Sequence, residues 1–284
     1  IVRLVGSEMC IRDRYNSEST KINIKSLVER GNIFIKPAKG YLASGLNGEG
    51  RLEEPKNIFN ILVDHISEKL IYNKKNILVT SGPTHEMIDP VRFISNHSSG
   101  KMGHEIAKEA ASLGANVVLV TGPTQINLRN NSIKVVNVTS ADEMFEKCLS
   151  ELKKIDYLIM AAAVSDFKPK KISKTKIKKN IKKTFNLELV KNIDIISELS
   201  KLKKPNQKVI GFALETENEI VNAKNKLEKK QLDAIILNSI SDENTCFNSD
   251  KNKIHFITKS KTKKFKLKFK NEVAKDILHE IYNL

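Results

Sequence analysis

A doubly wound α/β fold with a mostly parallel sheet is the architecture this sequence predicts for residues 76–238. Three observations carry it. Short apolar runs recur at the length of buried strands: NILVT at 76–80, VVLV at 117–120, IKVVNV at 133–138, DYLIMA at 156–161, VIGFA at 209–213 and AIIL at 234–237. Segments with helical spacing alternate with them, which is the pattern of βαβ units. The runs end in small and polar residues (SGPTHE, TGPT, AAAVSD, GFALET, LNS). Sheets of this kind bind ligands beyond the carboxyl ends of their strands.

Each element follows from its local chemistry. The first 14 residues hold three of the seven arginines and lead into no periodic segment, so they are expected to lie outside the fold as artefactual or disordered sequence. Residues 31–55 carry five Gly and two Pro and predict turns. A helix is expected over 56–71, with Ile58, Ile61, Leu62, His65 and Ile66 on one face. After the first strand, 101–114 reads as a helix through Met102, Ile106, Ala110 and Leu113, closed by Gly114. Ser140 caps a helix at 141–153, and Glu143 three residues later predicts a capping box. Strand is expected at 184–189, helix at 193–201 and helix at 217–231. The runs 253–258 and 263–269 predict a hairpin, and 272–283 a closing helix.

The charge is unevenly distributed. The 284 residues include 49 Lys+Arg and 33 Asp+Glu, a formal net charge of +16, which on its own suggests a nucleic-acid or membrane-surface binder. Residues 168–184 hold nine Lys and no acid, and 251–270 hold nine more and no acid. Without those 18 lysines, 31 basic residues face 33 acidic ones, a net of −2. The excess is therefore local, and the hairpin lysines of the second tract are expected to face water and blunt an edge strand, with no catalytic role. Trp is absent and aromatics are 6%, a poor supply for base stacking. No run of about 18 apolar residues predicts a membrane span, and no secretory signal is seen. Three scattered cysteines, Cys10, Cys148 and Cys246, argue against a disulfide framework and favour a reducing cytoplasm. No nucleic-acid or membrane partner is expected.

Two nucleotide motifs fail. No GxGxxG follows the first strand, and Gly100-Lys101 is followed by Met102 where a P-loop needs Ser or Thr. A nicotinamide-dependent reductase on the same sheet is disfavoured accordingly. Instead, Ser98, Ser99, Gly100 and Lys101 open the first long helix, where free backbone amides and the helix dipole favour an anion. Lys226 and Lys230 share a helix face by their i,i+4 spacing. Taken alone that pair reads as a solvated face, and Phe212 as core.

The run 89–103 (DPVRFISNHSSGKMG) resembles the signature of phosphopantothenate–cysteine ligases. Further matches follow in that family's order: AAAVSDFKP at 161–169, KIKK at 176–179, LVKNIDII at 189–196, GFALET at 211–216, Lys226 with Lys230, and FNSDKN at 247–252. The resemblance covers about 75–284. It implies a Rossmann-like ligase domain over 73–284, with a Lys-rich flap near 170–190 and a C-terminal hairpin plus helix. It implies CTP-dependent joining of 4′-phosphopantothenate to cysteine through an acyl-cytidylate, with Mg²⁺, in a cytoplasmic homodimer. By the same resemblance, Met160, Ala161, Ala162, Asp166, Lys176, Asn192, Ile193, Asp194, Ile195, Phe212, Lys226 and Lys230 bind the nucleotide. Asn96 serves conversion of the acyl-cytidylate, and Arg92 grips a phosphate or the carboxylate. His97 is expected to be structural. The metal ligands are not identified.

Residues 36–55 (KPAKGYLASGLNGEGRLEEP) resemble a different enzyme, the end of the flavin-dependent phosphopantothenoylcysteine decarboxylases. Where that family has a proton-donating cysteine, this chain has Ser44. An alcohol is a far weaker acid than a thiol of pKa about 8.5. The expectation is a decarboxylase remnant and linker helix over 15–72, from a bifunctional protein whose FMN belongs to a domain largely missing here. Decarboxylation is not expected of this chain.

Overall fold

The structure is a computed structural model and describes residues 11–41, 47–128, 130–178, 184–215, 217–239 and 249–284. The chain forms two compact units, Ile1–Lys69 and Leu70–Leu284. In the first, helices span Ile11–Asn16 and Glu18–Glu29, strands Ala38–Tyr41 and Asn47–Arg51 pair antiparallel, and a helix runs Pro55–Lys69. Helix Glu18–Glu29 buries none of its residues, so it carries no apolar stripe for a sequence reading to detect. Helix Pro55–Lys69 starts with Pro at its first position, where the missing N–H costs nothing. Ile61, Leu62 and Ile66 of its expected apolar face stand exposed. Ser44 lies outside the described residues.

The second unit is built on an eight-stranded sheet. Its strands are β1 (Asn76–Ser81), β2 (Asn116–Thr121), β3 (Ile133–Asn137), β4 (Tyr157–Met160), β5 (Lys208–Glu215), β6 (Ala234–Ser239), β7 (Ile254–Ile257) and β8 (Thr262–Lys264). The order across the sheet is β8-β7-β6-β5-β4-β1-β2-β3. The six strands from β3 to β6 are parallel, and β7 and β8 add antiparallel at one edge. The strand order reverses between β1 and β4, which opens a crevice at their carboxyl ends. The doubly wound, mostly parallel sheet that the sequence predicts is therefore present.

Helices cover both faces. α1 (Lys101–Ser112) and α5 (Lys270–Tyr282) bury Ile106, Ala110, Val273 and Ile277 against Ile77, Val79, Ile159 and Ile210. α2 (Ala141–Leu152), α3 (Ile195–Lys201) and α4 (Glu219–Lys229) bury Met144, Leu199 and Leu227 against Leu78, Leu158, Val209 and Ile235. Neighbours along a strand thus face opposite helix layers. That explains why the strands read as unbroken apolar runs and not as alternation. Cys148 lies inside the second layer, where burial pushes its thiol pKa up to about 12.

Three local details differ from expectation. Ser140 caps α2 by accepting the Glu143 amide at 3.3 Å, but the Glu143 carboxylate takes the Thr139 amide at 2.7 Å, one residue earlier than a standard capping box. The strand expected at 184–189 is displaced: Leu189–Lys191 pairs antiparallel with Phe167–Pro169, outside the main sheet. Next to these two strands, Lys170 and Glu188 form an ion pair at 2.5 Å. Two hairpin-tract lysines fold onto acids of α5, Lys263 onto Glu280 at 2.5 Å and Lys268 onto Asp276 at 2.6 Å, so they do not simply face water.

Candidate active site

The crevice is closed at its floor by hydrogen bonds between the loops that follow β1 and β4. Thr80 Oγ1 accepts the Ala162 amide at 3.2 Å, and Thr84 Oγ1 accepts the Ser165 amide at 3.1 Å. The Ala163 amide donates to the Gly82 carbonyl at 2.9 Å. Above this seam lies a cavity of about 580 Å³. Its walls come from the 95–103 segment, the loop after β4, the ends of β5 and β6, Asn252 and Lys270.

Three glycines let the backbone reach this geometry. Gly82 and Gly100 have φ of +72° and +73°, a region costly for residues with a Cβ. A Cβ on Gly103 would lie 2.7 Å from the Ser81 Cβ and 2.9 Å from the Thr80 carbonyl oxygen, so α1 seats directly on β1. The three jobs of a dinucleotide glycine fingerprint (tight turn, close backbone approach, helix–strand packing) are thus shared among Gly82, Gly100 and Gly103, which are dispersed in sequence. The Gly100 carbonyl accepts the Ser81 hydroxyl at 2.8 Å, and the buried His104 ring contacts it through Nδ1 at 2.9 Å. Burial pulls the His104 pKa down, which favours a neutral ring.

At the start of α1 the Ser98 and Ser99 hydroxyls accept the Gly100 and Lys101 amides at 3.3 and 3.4 Å. Amides of a first helical turn have no partner within the helix, and here that turn lines the cavity. Lys101 Nζ meets Asp250 at 2.7 Å. This contact holds the Asp250 carboxyl below its usual pKa. Asn96 donates from Nδ2 to the Val164 carbonyl at 2.9 Å, which fixes its amide across the crevice.

The sequence-derived residues fall into separate groups. Asn96, Ser98, Ser99, Gly100, Lys101, Ala161, Ala162 and Phe212 line the cavity. The Met160 and Ile195 side chains are buried in the core, so only their backbones are available to a ligand. Asn192 ties the loop after β4 to the start of α3: its amide donates to the Asp166 carbonyl at 2.8 Å and its Nδ2 to the Ser165 carbonyl at 3.1 Å. The Asp166 side chain is exposed. Ile193 packs on the core, and Asp194 caps α3. Burial alone would raise the Asp194 carboxyl pKa, but Lys230 at 2.8 Å and the Ser197 amide hold it low. Lys226 pairs with Glu215 at the end of β5 at 2.6 Å.

Arg92 and Lys176 form another group, organised by a residue that the sequence reading did not single out. Asp89 is fully buried and accepts the Val91 and Arg92 amides, the Arg92 guanidinium and, at 3.2 Å, the Ile177 amide. Arg92 also donates to the Ile177 carbonyl at 3.1 Å. The Arg92 guanidinium and these amides hold the Asp89 carboxyl far below the usual carboxylate range. The pair thereby anchors the flap beside the exposed Lys176. Residues 179–183, Thr216 and 240–248, which include parts of three matched motifs, lie outside the described residues.

The second lysine tract also reaches the site. The sequence reading gave it no role, yet Asn252 and Lys270 are both buried in the cavity wall, 2% and 8% exposed. Asn252 lies in the matched FNSDKN motif, but its meeting with the 95–103 segment and Lys270 is a long-range contact that the sequence does not mark.

Comparison with known proteins agrees with this fold. The family profile described as the DNA/pantothenate metabolism flavoprotein C-terminal domain matches residues 72–284. A Haemophilus influenzae protein named Coenzyme A biosynthesis bifunctional protein CoaBC is 42% identical over 267 residues, which is 94% of this chain and 66% of that one. A protein from an unknown prokaryotic organism, named Cysteine/Cysteine sulfinic acid decarboxylase, is 44% identical over 94% of this chain and 75% of its own length. The crystal structure of the C-terminal domain of a CoaBC protein is 36% identical, with a TM-score of 0.64, and covers 75% of this chain and 96% of that domain. The chain spans about two thirds of the length of the Haemophilus relative. By the extent of the profile match and these identities, the chain belongs to the DNA/pantothenate metabolism flavoprotein C-terminal domain family.

Proposed function

We propose that this chain joins 4′-phosphopantothenate to cysteine at the expense of CTP, in coenzyme A biosynthesis. The observation that carries the reading is the cavity at the strand-order reversal, where the first turn of α1, Lys101 and the fixed Asn96 amide share one wall system with Phe212. Its size suits an extended anionic substrate. In the first step a carboxylate oxygen of phosphopantothenate attacks the α-phosphorus of CTP and pyrophosphate leaves. In the second the cysteine amine attacks the acyl carbon, loses a proton and expels CMP. Negative charge grows on the phosphoryl oxygens in the first step, so positioned cations lower its barrier. Lys176 serves that role from the flap, and Lys226 and Lys230 take the nucleotide after exchanging their carboxylate partners for it. Asn96 holds the activated acyl group for the amine by hydrogen bonding, which orients the reactants without covalent chemistry.

Among the described residues no group of three or more His, Cys, Asp or Glu could hold a metal. Mg²⁺ typically keeps several waters and is held by phosphate oxygens plus one or two carboxylates. The exposed Asp166 carboxylate at the strand end fits such a single ligand. The ion would supply charge neutralisation on the triphosphate.

A homodimer fits the same reading. Val91, Phe93, Phe167 and Leu189 expose 43–56% of their surface on the flap base and the adjoining hairpin, an apolar group that a second copy would cover. Sedimentation at twice the monomer mass is expected. The activity test is pyrophosphate release from CTP in the presence of phosphopantothenate and cysteine. Absence of release with CTP or any other nucleotide would refute the ligase reading.

A further inference from the structure

Lys270 is placed where helix physics alone would not put a lysine. It is the first residue of α5, and a cation at a helix N-terminus opposes the helix dipole. It is also buried, at 8% exposure, in the wall of the cavity that Lys101 lines. Its Nζ donates to the Ser249 carbonyl, which directs the side chain along the segment that carries Asp250 and Asn252. Lys101 holds the equivalent first position of α1. Both lysines, and so both helix N-termini, line the one cavity. Asp250 stands between the two charges: it pairs with Lys101 at 2.7 Å and feels Lys270 as well. That carboxylate is 74% exposed in its side chain, so an incoming anion can displace it at little cost.

We propose that Lys270 is a binding residue for a phosphoryl group of the substrates, acting with Lys101 across the cavity, and that Asp250 is the counter-ion it replaces. The inference rests on the ligase reading and adds a ligand from the C-terminal lysine tract, which that reading leaves without a part. Two phosphoryl groups enter the site, the phosphate monoester of phosphopantothenate and the triphosphate of CTP, and both offer the same chemistry to an ammonium.

The test is calorimetric titration of the full chain with phosphopantothenate and, separately, with CTP, for wild type, Lys270→Met and Lys270→Arg. Methionine keeps the length and packing of the stem and removes the charge. The wild-type titrations and pyrophosphate assay report on the ligase reading independently of the variants. The Met variant is expected to bind one of the two ligands about tenfold more weakly and the other within about twofold of wild type, a tenfold change being about 1.4 kcal/mol. The Arg variant is expected to recover part of the loss. Selective loss for phosphopantothenate identifies its monoester as the bound group, and selective loss for CTP identifies the triphosphate; either supports the proposal. Unchanged binding of both ligands, or equal weakening of both with a lowered melting temperature, would overturn it.

Discussion

In the proposed reaction, two side chains serve different half-reactions. Lys176 stands on the flap, and Asn96 is fixed to the Val164 carbonyl at 2.9 Å across the crevice. Lys176→Gln is expected to lose formation of the acyl-cytidylate, with pyrophosphate release falling at least tenfold. Asn96→Asp is expected to keep pyrophosphate release in a single turnover and to accumulate acyl-cytidylate. Quench-flow with chromatographic detection of the intermediate distinguishes them, and wild-type turnover by either variant would remove its assigned role. Asp89 gives a pH prediction. Its carboxyl pKa is lowered in the folded protein, so its stabilising contribution is complete above the unfolded-state carboxylate pKa of about 3.9 and is lost as pH falls below that range. The stability gap between wild type and Asp89→Asn should stay constant from about pH 8 to pH 5 and close only below about pH 4. Thermal melts across that range measure it. The anion turn of 98–101 was legible because its chemistry is local, Ser, Gly and Lys at a helix start. Asp89 and Lys270 were not, because their roles come from contacts far off in sequence, with Ile177 and Ser249.

Elements were more legible than residues. The six parallel strands fell where the apolar runs are, within a residue or two, because burial on both faces favours apolar side chains along the central strands, while the edge strand β3 is largely exposed. The displaced strand at Leu189–Lys191 shows the opposite case. It is exposed along its length, so neither alternation nor a continuous run marks it, and its pairing with Phe167–Pro169 is a tertiary fact. Likewise, helix Glu18–Glu29 buries nothing and leaves no periodic trace. The seating of α1 on β1 is testable. Gly103→Ala gains up to about 1 kcal/mol of helix propensity but forces a Cβ to 2.7 Å from Ser81 and 2.9 Å from the Thr80 backbone. Overpacking of that kind costs about 1–3 kcal/mol, so a net loss of stability in urea denaturation is expected, together with weaker phosphopantothenate binding as the Gly100 turn shifts. A more stable variant with unchanged binding would show that the contact is slack.

Over the whole molecule, the charge of +16 has a structural distribution. One lysine tract is the flap anchored by Asp89 and Arg92, and the other folds partly onto α5 and sends Lys270 into the cavity. No helix among the described residues is long and apolar enough to cross a membrane. The fold class was readable from the run pattern alone, whereas the assembly of the cavity was not, since it joins segments from 95 to 270. In the proposed reaction the carboxylate is activated by attack on the α-phosphorus of CTP. Phosphopantothenate enriched with heavy oxygen in its carboxylate tests it directly. One labelled oxygen is expected in the CMP released and none in pyrophosphate. Label in pyrophosphate or phosphate, or unlabelled CMP during product formation, would contradict it.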